Sequence, residues 1–82
     1  MKCAREMFEE LDYVYSKNNS MITYSKDDGD YISQISFIEV GHRIRFKEWE
    51  EYNNNEPQGV FQIYMDELKA IQQQITELCW EE

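Results

Sequence analysis

The chain has 82 residues, 41% of them hydrophobic and 15% aromatic, with 17 Asp and Glu against 8 Lys and Arg and a formal net charge of −9. A chain this short buries only about 60 to 65% of its unfolded surface, so one small, ring-filled core in a single domain spanning residues 1–82 is expected rather than low-hydrophobicity disorder. The acid excess argues against general binding to nucleic acid or to an anionic membrane, whose affinity comes from clustered Lys and Arg, and favours a protein partner with a basic surface.

No apolar run approaches the roughly 20 residues that span a bilayer, and the opening MKCAREMFEELDY lacks the apolar stretch of a signal peptide; a cytoplasmic protein is expected. In a reducing compartment Cys3 and Cys79 are expected as thiols, although the two helices that carry them could approach each other in the fold. With one histidine and two cysteines, four-ligand zinc spacing is absent. Neither a metal nor a cofactor is expected.

Over residues 2–11, Ala4, Met7, Phe8 and Leu11 recur at helical spacing opposite Arg5, Glu6, Glu9 and Glu10, which predicts a short amphipathic helix stopped near Asp12. Tyr13, Val14 and Tyr15 read as extended, and residues 16–20 as a polar turn. From Met21 the period becomes two. Asp28-Gly29 predicts a hairpin loop that sets Tyr24 opposite Ser33 and Ile22 opposite Ile35. A second hairpin centred on Val40-Gly41 sets Phe37 opposite Ile44 and Ile35 opposite Phe46. Ile22, Tyr24, Ile35, Phe37, Ile44 and Phe46 then share one buried face, while Thr23, Gln34, Ser36, Ile38, Arg43, Arg45 and Lys47 share the other.

The stretch HRIRFKEW, with cations at alternate positions, therefore reads as the solvated side of a sheet. Its three cations are expected to pair with carboxylates, across strands or between molecules, and not to bind plain duplex or single-stranded nucleic acid. Residues 50–58 read as loop, and residues 59–63 as a short fourth strand on an edge. From Tyr64 or Met65 to Trp80 the helical period returns, with Leu68, Ile71, Ile75 and Leu78 facing inward and Asp66 and Glu67 in the first turn, where the helix dipole favours anions. The predicted fold class is α+β: a short N-terminal helix, an antiparallel meander of three or four strands and a longer C-terminal helix, both helices on one face of the sheet.

Asp27, Asp28 and Asp30 around Gly29 lack the alternating ligands and distal Glu of a calcium loop and read as a charged hairpin tip. His42 has no nucleophile at a readable spacing, and no carboxylate pair is marked by a pocket, so no enzymatic activity is expected. What remains is an anionic surface. Asp27, Asp28, Asp30, Glu48, Glu50, Glu51 and Glu56 are its candidate partner-binding acids, and Trp49 and Tyr52 its candidate aromatic anchors. A homodimer through the sheet edge is also compatible with the pattern.

The opening AREMFEELDY (Ala4 to Tyr13) and the close MDELKAIQQQITELCW (Met65 to Trp80) resemble a group of short phage and prophage proteins of Gram-positive bacteria. Those proteins look like AREMFEELGY at the start and T-x-EELKAI-x-x-QI-x-ELGW at the end. The match covers about a third of the chain. Asp12 and Cys79 stand where that pattern has Gly, the usual left-handed helix stop, so the last helix is expected to run on toward Trp80. The resemblance implies a phage accessory protein acting in the host cytoplasm. Such proteins include anti-CRISPR and other anti-defence inhibitors, many of them small, acidic and non-enzymatic. A CRISPR effector nuclease, its basic DNA-binding groove occupied by a DNA-mimicking acidic surface, is the partner this implies; the alternative is a structural or regulatory accessory protein that binds another protein without mimicry.

Overall fold

A computed structural model describes residues 2–50 and 62–80. The element order is α1 (Ala4–Glu10), β1 (Val14–Asn18), β2 (Met21–Asp27), β3 (Tyr31–Ile38), β4 (Arg43–Glu50) and α2 (Met65–Glu77). The four strands form one antiparallel sheet in chain order, β1-β2-β3-β4, and the fold is α+β with an open sheet. No helix among the described residues is long and apolar enough to cross a membrane.

The β3–β4 register is the expected one, with Phe37 opposite Ile44 and Ile35 opposite Phe46. The β2–β3 register differs by two residues: Tyr24 meets Ile35 and Ile22 meets Phe37. The turn itself is the reason. Asp27 Oδ1 accepts from the Gly29 amide at 2.9 Å, and Asp28 Oδ1 accepts from the amides of Asp30 and Tyr31 at 3.1 and 2.8 Å, which centres the loop on Gly29 (φ 100°) and Asp30. Because the slip is even, every side chain keeps its face.

The fourth strand of the described sheet is β1. Ser16, Lys17 and Asn18, expected in a turn, pair with Thr23, Ile22 and Met21, and the chain reverses just after them. Of the expected edge strand, Gln62 and Ile63 lie in no strand, and residues 59–61 fall outside the described residues.

Phe8, Tyr13, Tyr24, Ile35, Phe37, Ala70 and Ile71 form the core. Both helices pack on the Tyr24–Ile35 side of the sheet, and Ile22 and Ile44 are only partly buried at its margin. Phe46, expected inside, stays 41% exposed on the edge strand β4. The inward face of α2 is also rotated from the expected stripe: Glu67, Ala70, Ile71 and Gln74 are buried, whereas Leu68, Ile75 and Leu78 are half-buried. Two polar side chains sit beneath the helix because each meets a tyrosine hydroxyl. Tyr13 donates to Glu67 Oε2, and Tyr24 donates to Gln74 Oε1 at 2.5 Å.

Both helices end in the same motif. The Tyr13 amide donates to the Phe8 carbonyl and the Asp12 amide to that of Glu9; at the other helix the Trp80 amide donates to Ile75 and that of Cys79 to Thr76. These are paired six-to-one and five-to-two bonds with a left-handed residue between helix and exit, Asp12 at φ 71° and Cys79 at φ 60°. Cys79 therefore stops α2 as glycine would, and the expected run-on toward Trp80 does not occur. Trp80 instead turns back to stack on His42 at 4.7 Å and to meet Phe37 at 6.3 Å. A left-handed conformation costs an L-residue about 1 to 2 kcal/mol, less for Asp, against an unfolded-state entropy loss for Gly of about 0.5 to 1 kcal/mol. Cys79→Gly is expected to raise stability by up to about 1 kcal/mol, or roughly 4 to 8 °C in Tm, and Asp12→Gly by less. Thermal unfolding followed by circular dichroism measures both; a lower Tm for Cys79→Gly would show that the thiol's contacts outweigh the strain.

Candidate functional site

The antiparallel register gathers the candidate acids at one end of the sheet. The β2–β3 tip carries Asp27, Asp28 and Asp30, and the last residues of β4 lie beside it, Glu48 opposite Ser33, Trp49 opposite Ile32 and Glu50 opposite Tyr31. Glu48 Oε2 accepts from Ser33 Oγ at 3.0 Å. The amide donors to Asp28, from Tyr31 and then Asp30, hold its carboxyl below the usual range, so it stays charged as well as fixing the turn. Glu51, Tyr52 and Glu56 lie outside the described residues.

Trp49 departs from its expected role as an anchor. It belongs to the face without helices and is 6% exposed, with Lys47 Nζ 5.2 Å from its ring centroid. It packs rather than projects. Among the described residues at this end, Tyr64 at the start of α2 and Tyr31 beside the tip are exposed, by 79% and 40%.

On the helix side, the same end holds a cleft of about 300 Å³ whose lining includes Tyr13, Lys26, Asp28, Glu48, Tyr64 and Glu67. Glu67 is 6% exposed. One of its oxygens accepts from the Tyr64 amide at 2.6 Å, closing the first turn of α2, and the other takes the Tyr13 hydroxyl. Lys26 Nζ stands 5.7 Å from the Tyr13 ring centroid. Three carboxylates thus face one ammonium, an arrangement suited to receiving a basic side chain.

Strand alternation also sorts charge by side. Glu48 and Glu50 fall on the helix side of β4, whereas Arg43, Arg45 and Lys47 fall on the other. Among the described residues none of those three cations has a cross-strand carboxylate partner; Lys2–Glu10 and Arg5–Glu9, both on α1 and its flank, are paired.

Sequence reasoning missed Glu67, Tyr13, Lys26 and Tyr64 as members of this end. One signal was available for Glu67, which stands three residues after the residue that opens α2, where a carboxylate reaches back to the first amide. Among the described residues no group of three or more His, Cys, Asp or Glu is arranged to hold a metal ion. Cys3 and Cys79 are free and exposed. No protein-family model matches the chain, and no curated protein or solved structure matches it.

Proposed function

We propose that this chain is a non-enzymatic binding protein that docks its acidic sheet end on a basic surface of a protein partner. The partner in this reading is a host-defence nuclease, such as a CRISPR effector, whose access to nucleic acid is blocked. One observation supports the docking: the β2–β3–β4 register brings Asp27, Asp28, Asp30, Glu48 and Glu50 to one end while the cations of β4 face elsewhere. The Arg and Lys that hold phosphates in a nuclease groove are that end's chemical complement, and long-range attraction would speed encounter and weaken with salt. The choice of nuclease rests on the net charge and on the resemblance of both chain ends to phage accessory proteins.

A second reading, an accessory protein that binds a phage or host protein without imitating nucleic acid, draws support from the shape of the cluster. The acids share one end of the sheet, and Asp27 and Asp28 accept bonds from their own turn and Glu48 from the neighbouring strand, which ties these carboxylates to the fold.

The test is capture from a host lysate by the tagged chain and by a variant carrying Asp30→Lys, Glu48→Lys and Glu50→Lys, followed by a DNA-cleavage assay with the nuclease recovered. The wild type is expected to retain and inhibit a nuclease, and the variant to lose about tenfold or more in affinity. Its fold should hold, because surface changes typically move stability by no more than about 0.5 kcal/mol each. Recovery of only phage structural proteins or transcription factors, with cleavage unaffected, would replace the inhibitor reading with the second one.

A further inference from the structure

The end of the sheet opposite the acidic tip, where β1 turns into β2 and β3 ends, holds a cavity of about 230 Å³ on the helix side. Ile22 and Phe37, level with each other on neighbouring strands, form its floor, and Leu78 and Trp80 beyond the end of α2 form its wall. Ile22, Leu78 and Trp80 are only partly buried, so apolar surface from the sheet and from the helix end is left open at one place.

The walls are fixed by their own contacts. The Trp80 amide donates to the Ile75 carbonyl at 3.1 Å, and its ring is stacked on His42. The Ser20 amide donates to Asn18 Oδ1 at 3.1 Å within the β1–β2 turn, and the Glu39 amide donates to the Ser20 carbonyl at 2.9 Å, tying that turn to the end of β3. A preformed cavity loses little of its binding free energy to ordering.

Two opposite charges flank it. Lys17 is level with Ile22 and Phe37 across the sheet, and Glu39 lies two residues beyond Phe37. Their Cα atoms therefore stand about 12 Å apart, two strands across and one residue pair along, with the cavity floor between them. Both side chains line the cavity, both are exposed, and neither is in an ion pair among the described residues.

We propose that this cavity binds a small zwitterion with an apolar body, a free aliphatic or aromatic α-amino acid. Its side chain lies on Ile22, Phe37, Leu78 and Trp80, its carboxylate is directed to Lys17 and its ammonium to Glu39. Size sets the first limit: the volume falls below the roughly 300 to 1,000 Å³ of sites for drug-sized ligands and suits one side chain with its head group. Charge sets the second. An apolar monocarboxylate would answer Lys17 but set its charge against Glu39 and against a chain of net charge −9, and an apolar amine would answer Glu39 but face Lys17. The zwitterion answers both and carries no net charge. An apolar side chain of a protein partner fits the floor as well, but it brings neutral peptide groups to the two charges and leaves each without a counter-ion. The site lies at the other end of the sheet from the acidic cluster, and the proposal does not depend on the partner proposed above.

NMR titration of the isotope-labelled full chain with L-leucine and L-phenylalanine tests it, up to about 10 mM ligand and at about pH 6.5, where an α-amine is protonated. The Trp80 indole N–H and the Ser20 and Glu39 amides are expected to shift saturably, with a Kd of about 0.1 to 1 mM for a ligand of nine or so non-hydrogen atoms. Leucinamide, without the carboxylate, and N-acetyl-leucine, without the ammonium, should each bind about tenfold or more weaker than leucine. Lys17→Gln should weaken leucine about tenfold while leaving leucinamide within about threefold, and Glu39→Gln should do the same for leucine against N-acetyl-leucine. Both substitutions are at exposed positions, and the amide spectrum checks that each variant folds. No saturable shift at the highest concentration, shifts confined to residues away from the cavity, or leucine binding unchanged in both variants would overturn the proposal. So would N-acetyl-leucinamide binding as tightly as leucine, which would assign the cavity to an apolar side chain of a protein partner.

Discussion

Phe8→Ala is expected to cost about 3 to 5 kcal/mol, the range for deleting a buried aromatic ring, in a domain whose whole stability is on the order of 5 to 10 kcal/mol. Phe8 is fully buried and joins α1 to the sheet: its ring stacks on Tyr24 at 3.9 Å and meets Tyr13 and Phe37 edge-on at 5.5 and 6.2 Å. Its loss leaves a cavity where the helix and the two central strands converge. Phe46→Ala provides the contrast, since Phe46 is 41% exposed on an edge strand and its truncation should cost below about 1.5 kcal/mol. Urea denaturation followed by circular dichroism gives both values from the shift in midpoint at constant slope. Equal losses would mean that the helices reach over β4 in solution.

That contrast marks how far periodicity reads this chain. Alternation assigned Phe46 and Ile35 to the same side, correctly, but the distance of each strand from the helix pair is a tertiary property that alternation does not carry. The faces of β2, β3 and β4 were legible because Ile22, Tyr24, Ile35, Phe37 and Ile44 recur with period two, and they survived a two-residue error in the first hairpin. The error arose because Asp27 and Asp28 both grip turn amides and move the loop centre by one residue. β1 was hidden because Ser16, Lys17 and Asn18 lie on an edge with water on both sides, where no apolar pattern is required. Cys79 was misjudged because a propensity, glycine for left-handed backbone, gave way to the pull of Trp80 on the core. The acidic end was legible as a set of charges but not as a place. It took the pairing of β2, β3 and β4 to join Asp27, Asp28 and Asp30 with Glu48 and Glu50, and the packing of α2 to add Glu67.

Glu67 and Gln74 were invisible to an apolar stripe for the same reason that they are expected to matter most: each is a buried polar group satisfied by a tyrosine from elsewhere in the chain. Tyr13→Phe removes the hydroxyl that Glu67 Oε2 accepts from and leaves a buried carboxylate short of a donor, at an expected cost of about 2 to 3 kcal/mol. Glu67→Gln keeps its amide oxygen as acceptor for the Tyr64 amide and turns its Nε2–H toward the Tyr13 hydroxyl, which can accept, and should cost less, while Tyr13→Phe combined with Glu67→Met removes both polar partners and should recover part of the single-variant loss. The pH dependence provides an independent check. Burial first, then the bond to Glu67, raises the Tyr13 hydroxyl pKa above its ordinary value near 10; burial first, then the field of Tyr15 and Glu77, raises that of Tyr24. A group held protonated in the fold adds nothing to the pH dependence below the unfolded value. Above it the unfolded chain releases protons that the native one keeps, so stability falls as pH rises past about 10, by about 1.4 kcal/mol per pH unit for each tyrosine. Urea midpoints between about pH 9 and 11 should therefore drop steeply, and Tyr13→Phe, though less stable throughout, should lose about half of the part of the slope due to these two tyrosines. A slope identical to wild type would mean that Tyr13 ionises as readily in the native state as in the unfolded one, and that its hydroxyl is not held by Glu67.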